Sequence, residues 1–253
     1  MEPERVLHLP LLLTMDPALG EGPLGELRDA AIAVSGDRVV WMGPSSEAPD
    51  APRVDRTDFV GMPALVDCHT HSVWAGSRAD EFRRRLAGVS YSEILEAGGG
   101  ILSTVRATRA ASEEVLVAST AERLRRARAR GVGTVEIKGG YGLEPATEAR
   151  MLRAARAAGK AAGVRVFTTF LGAHAIPADR RSDRTSYVEE VVGAQLDACA
   201  PHADFVDAYV DRGAFTVEEG RRVLAAGKAR GLGVRVHAEQ VAFTGAAAMA
   251  ARL

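Results

Sequence analysis

From Ala64 onward, short apolar runs alternate with long amphipathic segments rich in Ala, Arg and Glu, and this alternation restricts the fold more than any other feature. The runs are Leu65–Cys68, Thr134–Ile137, Val164–Leu171, Phe205–Val210 and Val234–Val236, and the helical stretches between them include Ser112–Arg130, Pro145–Ala162 and Val217–Arg230. Strands separated by helices build a parallel sheet with right-handed crossovers, either a doubly wound open sheet or part of a (β/α)8 barrel. The last long helix has its boundaries written in the sequence. Thr216 and Glu219 form a capping box at its start, and Gly231 stands where a C-terminal glycine cap belongs. A further helix is expected over Gly245–Leu253. The first sixty residues read differently, as a small β unit with strands at Val6–Met15, Ala30–Val34 and Arg38–Met42 and a hairpin-type turn at Ser35-Gly36-Asp37. The expected division is therefore residues 1–60 and residues 61–253.

In parallel α/β folds chemistry gathers at the C-terminal ends of the strands, and this sorts the six histidines. His69 and His71 close the first run, His174 follows the third and His237 ends the fifth. Side chains two apart in a strand project to the same side, so His69 and His71 can share one ion while Thr70 points away. A catalytic zinc or iron site takes three protein ligands and leaves a position for water, and His237 supplies the third nitrogen. His8, in the β unit, and His202, after Pro201, read as structural or solvent-exposed. On the same strand geometry Cys68 faces away from the histidines, as a small buried hydrophobe.

Bulk properties remove several classes of function. A formal net charge of −1 gives no basic footprint for nucleic acid. No apolar stretch is long enough for a membrane span, and Glu2 and Glu4 precede a short Leu11–Leu13 run with no basic start to an export signal. The two cysteines, Cys68 and Cys199, lie far apart and are expected to be reduced, as in a cytoplasmic protein.

The segment Gly61-Met62-Pro63-Ala64-Leu65-Val66-Asp67-Cys68-His69-Thr70-His71 resembles the opening barrel strand of the amidohydrolase superfamily, metal-dependent hydrolases with a flanking β-sandwich. Further stretches narrow the resemblance to the imidazolonepropionase family. They are Gly76-Ser77-Arg78, Gly98 to Val105, Gly139-Gly140-Tyr141-Gly142-Leu143-Glu144, Gly172-Ala173-His174-Ala175-Ile176-Pro177 and His237-Ala238-Glu239-Gln240. The resemblance runs over essentially the whole chain. It implies hydrolysis of the ring C–N bond of 4-imidazolone-5-propanoate to N-formimidoyl-L-glutamate, in histidine degradation, with one zinc or iron ion. It also implies His69, His71 and His237 as metal ligands, and Arg78, Tyr141, His174 and Gln240 as residues that meet the substrate, with Tyr91 closing over it.

The chemistry of each residue type agrees with that assignment. A guanidinium binds the substrate's propanoate through two parallel hydrogen bonds, and His174 can give a proton to the leaving nitrogen or steady the oxyanion. The amide of Gln240, expected as a catalytic residue beside His174, can bond the ring, where some relatives have a carboxylate. Lys138 reads as structural or electrostatic, because the carboxylated lysine of two-metal relatives comes later in the barrel. Gly98–Gly100 lacks the G-x-G-x-x-G spacing of a phosphate cradle and reads as a loop.

The family barrel has eight strands and this sequence reaches Leu253 soon after the fifth. The expectation is a barrel cut after about five strands, without the family's aspartate ligand. Alone it would be poorly soluble and inactive, and it would form a homodimer only at full length. Two other readings stay open: another amidohydrolase, such as a cyclic amidine deaminase, and a remnant that binds metal or another chain through its open sheet edge. No nucleic-acid or membrane partner is expected.

Overall fold

A computed structural model describes residues 1–253 apart from Tyr91, Ser92, Leu95 and Glu96. The chain divides into two compact units, Met1–Ala64 and Leu65–Leu253.

The first unit is one mixed sheet. Strands β1 (Arg5–Leu13), β2 (Glu26–Ser35), β3 (Arg38–Pro44) and β4 (Arg53–Asp55) lie in the order β3-β2-β1-β4, and β5 (Val60–Gly61) also pairs with β1. The long antiparallel ladder of β1 and β2 places His8 opposite Ala31. The expected turn at Gly36 is present, with φ +57°. The two short strands β4 and β5 join β1 in parallel and carry too few apolar residues to stand out in the sequence.

The second unit is the parallel α/β arrangement expected from the alternation. Its strands are β6 (Leu65–Thr70), β7 (Val132–Lys138), β8 (Arg165–Ala173), β9 (Phe205–Val210), β10 (Gly233–Val234) and β11 (His237–Ala238), in the order β6-β7-β8-β9-β10, with β11 also on β9. The fifth run is thus a broken strand: β10 and β11 both pair with β9, and Arg235 and Val236 lie between them. The helices are α1 (Ala79–Leu86), α2 (Ile101–Ala110), α3 (Glu113–Arg128), α4 (Pro145–Ala162), α5 (Arg184–Glu190), α6 (Leu196–Cys199), α7 (Val217–Ala229) and α8 (Ala246–Ala250), with a π turn at Val191–Gln195 between α5 and α6.

Local chemistry sets the helix ends. Both halves of the Thr216–Glu219 capping box form, a feature worth about 1 kcal/mol. At the other end Gly231, at φ +82°, donates to Lys228 O, and Leu232 N–H reaches Gly227 O, the paired bonds of a Schellman motif. The helix expected over Gly245–Leu253 is shorter, because Ala246–Ala250 is all that keeps helical bonding. Helices α1 and α2 were not expected. The second begins immediately after Gly100, whose φ of +73° only glycine adopts without strain.

Period-two alternation gives the sheet two different faces. On β7, Val135 and Ile137 pack with Leu116, Leu124, Met151 and Ala155 of the helices. On β9, Val206, Ala208 and Val210 pack with Val223, Leu224 and Tyr187. Residues one step away, Glu136 and Lys138 on β7 and Asp207 on β9, are buried and polar on the face the helices leave free. Terminal strand β6 is exposed through most of its length, Leu65 at 50% and Val66 at 66%.

Candidate metal centre

Three imidazoles meet at the C-terminal end of the parallel sheet. The ligand atoms of His69, His71 and His237 all lie within 4.8 Å of one another. Ring centroids are 4.4 Å apart for His69 and His237, and 5.4 Å for His71 and His237. The strand geometry that achieves this is less regular than expected. Pairing of β6 with β7 shifts register between Asp67 and Thr70, so β6 carries one more residue than its partner there, and His71 lies beyond the last strand residue. The shift also removes the expected separation of Cys68, which lines a cavity of about 420 Å³ together with His69, Lys138 and Asp207.

The nitrogens present a donor set that fits a cation. His237 Nδ1 is 2.8 Å from Asp207 Oδ2, an acceptor, so the proton sits on Nδ1 and Nε2 keeps its lone pair. That Nε2 is 3.3 Å from His71 Nε2. Two nitrogens bound tetrahedrally to zinc at about 2.0–2.1 Å would stand roughly 3.3 Å apart. His71 Nδ1 is buried without a hydrogen-bond partner. Burial first, then the neighbouring rings of His174, His237 and His69, push the His71 pKa down to about 3, so this ring is a neutral donor near pH 7. His69 shifts downward also, through burial and then the Lys138 ammonium.

His174 follows β8 and stacks on His71, with centroids 4.9 Å apart and planes at 23°. Its Nδ1 is 2.8 Å from the Gly140 carbonyl oxygen, so Nδ1 is the donor and Nε2 the free acceptor. Burial drives its pKa down to about 4. Gly140 has φ +93°, and a Cβ there would stand 2.6 Å from His174 Nδ1, so the position accepts no side chain. Tyr141 is next in this loop, 5.5 Å from the His174 ring and 5.9 Å from the His71 ring. Arg78 and Tyr141 both line a cavity of about 190 Å³ with Trp74, Ser77 and Thr104. Arg78 is half-exposed and its Nε bonds Glu81 Oε2 at 2.7 Å.

The structure brings His69, His71, His174, His237 and Tyr141 together, with Arg78 sharing a cavity wall with Tyr141. Gln240 is exposed, and what fixes it is its backbone N–H, which donates to Asp211 Oδ2 at 2.6 Å. Tyr91 lies outside the described residues.

Asp207, Glu136, Glu148 and Tyr209 contribute and escaped the sequence reading, whereas Lys138 was expected to be structural or electrostatic. Asp207 orients His237; burial raises its pKa, but the bond from His237 and the Lys138 ammonium more than reverse this and leave it at about 2. Lys138 Nζ bonds Glu136 Oε1 at 2.7 Å and Asp207 Oδ2 at 2.8 Å, as a buried charge pair, in keeping with an electrostatic role. Breaking such a pair by deleting one partner costs about 3–5 kcal/mol. Glu148, fully buried at the start of α4, accepts the N–H groups of Gly140, Gly142 and Leu143, and so holds the loop that carries Tyr141 and the Gly140 carbonyl. Tyr209 flanks His174 and His237 on β9, with centroids 6.5 and 5.9 Å away. The available signal for Glu136, Lys138, Asp207 and Tyr209 was polar residues at every second position inside apolar runs.

Relatives with this sequence pattern are numerous. The chain is 48% identical over 251 residues to an imidazolonepropionase of Paraburkholderia phymatum, covering 97% of this chain and 60% of that protein. It is 47% identical to one of Shewanella loihica over 249 residues, covering 96% and 61%, and 47% identical to one of Bradyrhizobium sp. over 254 residues, covering 98% and 62%. The chain is similar to imidazolonepropionases over nearly its whole length. It spans about 60% of the length of these curated relatives. No protein-family model matches it.

Among solved structures, the fold is similar to Aspergillus niger ochratoxinase, with a TM-score of 0.58 at 19% identity, covering 99% of this chain and 58% of that one. It is also similar to a 5-methylcytosine deaminase of Klebsiella pneumoniae, with a TM-score of 0.62 at 14% identity, covering 93% and 51%. A mutant atrazine chlorohydrolase of Arthrobacter aurescens, solved with zinc and atraton, gives a TM-score of 0.59 at 14% identity, covering 98% and 55%. At these identities the likeness establishes the parallel α/β fold alone. No helix among the described residues is long and apolar enough to cross a membrane.

Proposed function

We propose that the whole protein hydrolyses the ring C–N bond of 4-imidazolone-5-propanoate to N-formimidoyl-L-glutamate, in histidine degradation. The observation that carries this reading is the convergence of His69, His71 and His237, with two Nε2 atoms 3.3 Å apart, beside His174 and Tyr141. Likeness to imidazolonepropionases narrows the substrate class.

His69, His71 and His237 would hold one zinc or iron ion. When bound, such an ion polarises a carbonyl and makes water a nucleophile near neutral pH. The remaining work falls to the protein's own groups. Arg78 pairs with the propanoate, exchanging its contact with Glu81 for a bidentate one. Tyr141 packs over the ring and closes the space between Arg78 and His174. His174, neutral with Nδ1–H fixed on Gly140, has Nε2 free to take a proton and return it to the leaving ring nitrogen. Gln240 and Tyr91 complete the substrate contacts on this reading. The protein acts in the cytoplasm on a small molecule, and the full-length protein is a homodimer.

A chimera tests the reading. Residues 1–253 replace the matching stretch of the Paraburkholderia phymatum relative, and loss of imidazolone absorbance and appearance of N-formimidoyl-L-glutamate are followed with zinc or iron supplied. Turnover that disappears on His237→Ala supports the reading. A folded chimera that takes up metal and leaves the ring intact overturns it.

A further inference from the structure

Beneath His237 runs a continuous polar chain drawn from three adjacent strands. The Thr169 hydroxyl donates to Glu136 Oε1, and Lys138 Nζ reaches both Glu136 Oε1 at 2.7 Å and Asp207 Oδ2 at 2.8 Å. Asp207 Oδ2 accepts from His237 Nδ1 at 2.8 Å, while its Oδ1 accepts from the His237 backbone N–H at 3.0 Å. Glu136, Lys138 and Asp207 are 2%, 1% and 1% exposed. Aliphatic residues of similar size would fill these positions at lower cost in desolvation, so stability alone does not account for three buried charges.

We propose that Lys138 and Glu136 are positioning residues for His237. The inference rests on the reading of the three histidines as metal ligands. Asp207 Oδ2 is shared between His237 and Lys138, so the ammonium fixes the carboxylate rotamer that meets Nδ1–H. Nε2 is thereby turned toward His71. Glu136, whose Oε1 accepts from the Thr169 hydroxyl as well as from Lys138, fixes where the ammonium stands. Without that cation, the Glu136 and Asp207 carboxylates would face each other with nothing between them, and repulsion would drive Asp207 off the ring. At the other end of the network the buried Arg235 Nε approaches Glu136 Oε1 at 3.6 Å, in the break between β10 and β11.

Two variants of the full chain test this. Lys138→Met keeps length and burial without charge, and the double variant Glu136→Gln with Lys138→Met removes the carboxylate repulsion that could unfold the single one. Zinc affinity is read by competition with a chromophoric chelator, and the His237 tautomer in metal-free protein by long-range 1H–15N correlation spectra. The expected result is a single Nδ1–H tautomer in the parent. Both variants should show mixed tautomers and bind zinc about 10-fold or more weakly, as for other partners of metal-ligating imidazoles, while the double variant melts closer to the parent. Zinc affinity within twofold of the parent and an unchanged tautomer in the double variant would overturn the proposal. A parent chain that takes up no zinc would instead overturn the metal reading, leaving the tautomer spectra to decide the positioning role.

Discussion

His8 and His71 carry one ring into opposite circumstances. His8, on β1, lies between Asp29 Oδ1 of β2 at 2.7 Å and Asp55 Oδ1 of β4 at 3.0 Å, and the bond to Asp29, then that to Asp55, raises its pKa. With a carboxylate oxygen at each ring nitrogen, it staples three strands of the first unit. His71 has no carboxylate on either nitrogen among its described contacts; burial and other imidazoles hold it neutral. By this comparison, what is kept away from a histidine leaves its nitrogen able to donate to a metal. His237 sits between the two cases. It has a carboxylate on Nδ1, but Lys138 shares that carboxylate, so Nε2 stays available.

Four changes test this contrast. The largest effect belongs to His71→Ala, which should weaken zinc binding by more than the roughly 100-fold that losing a hydrogen-bond partner of a ligand costs, read by metal content after dialysis against a chelator. Next, Asp207→Asn should lower zinc affinity about 10–100-fold with the sheet intact by circular dichroism; unchanged affinity would show that the carboxylate does not orient the ring.

The third is a pH effect on the metal-free chain. His71 and His174 titrate at about 3 and about 4 when folded and near 6.5 when unfolded, so the unfolded chain takes up protons first as pH falls. Their contribution is full above pH 6.5 and is lost below it, by about 1.4 kcal/mol per pH unit per ring until the folded values are reached. Urea midpoints from pH 7 to 4.5 should fall accordingly, and His174→Asn should flatten the slope. The smallest effect has the opposite sign. The raised pKa of His8 gives stability that is present below about pH 6.5 and lost as pH rises through the folded value, so His8→Gln should remove a shallow alkaline loss of stability in the first unit.

Much of this contrast was hidden from the sequence. Apolar runs located the five parallel strands because burial on both faces makes a strand read as continuous. The same averaging concealed Glu136 and Asp207, which share the inner face with Lys138 at alternate positions. His69, His71, His174 and His237 could be found because the C-terminal ends of parallel strands are where loops place chemistry. The register shift in β6 and the break at Arg235 were not legible, since both are decisions of backbone pairing that leave composition unchanged. Asp29 and Asp55 were invisible as partners of His8 for a similar reason: they come from strands 21 and 47 residues away.

The Glu148 carboxylate acts on the Gly139–Leu143 loop as a mould acts on a casting. Three amide protons of that loop close on one buried side chain of a helix, so the course of the backbone is imposed from outside and owes little to the side chain at position 141. Position 141 is therefore a place where reach and polarity toward a ligand can be exchanged while the surrounding main chain keeps its shape, and where selection for a new substrate could act first.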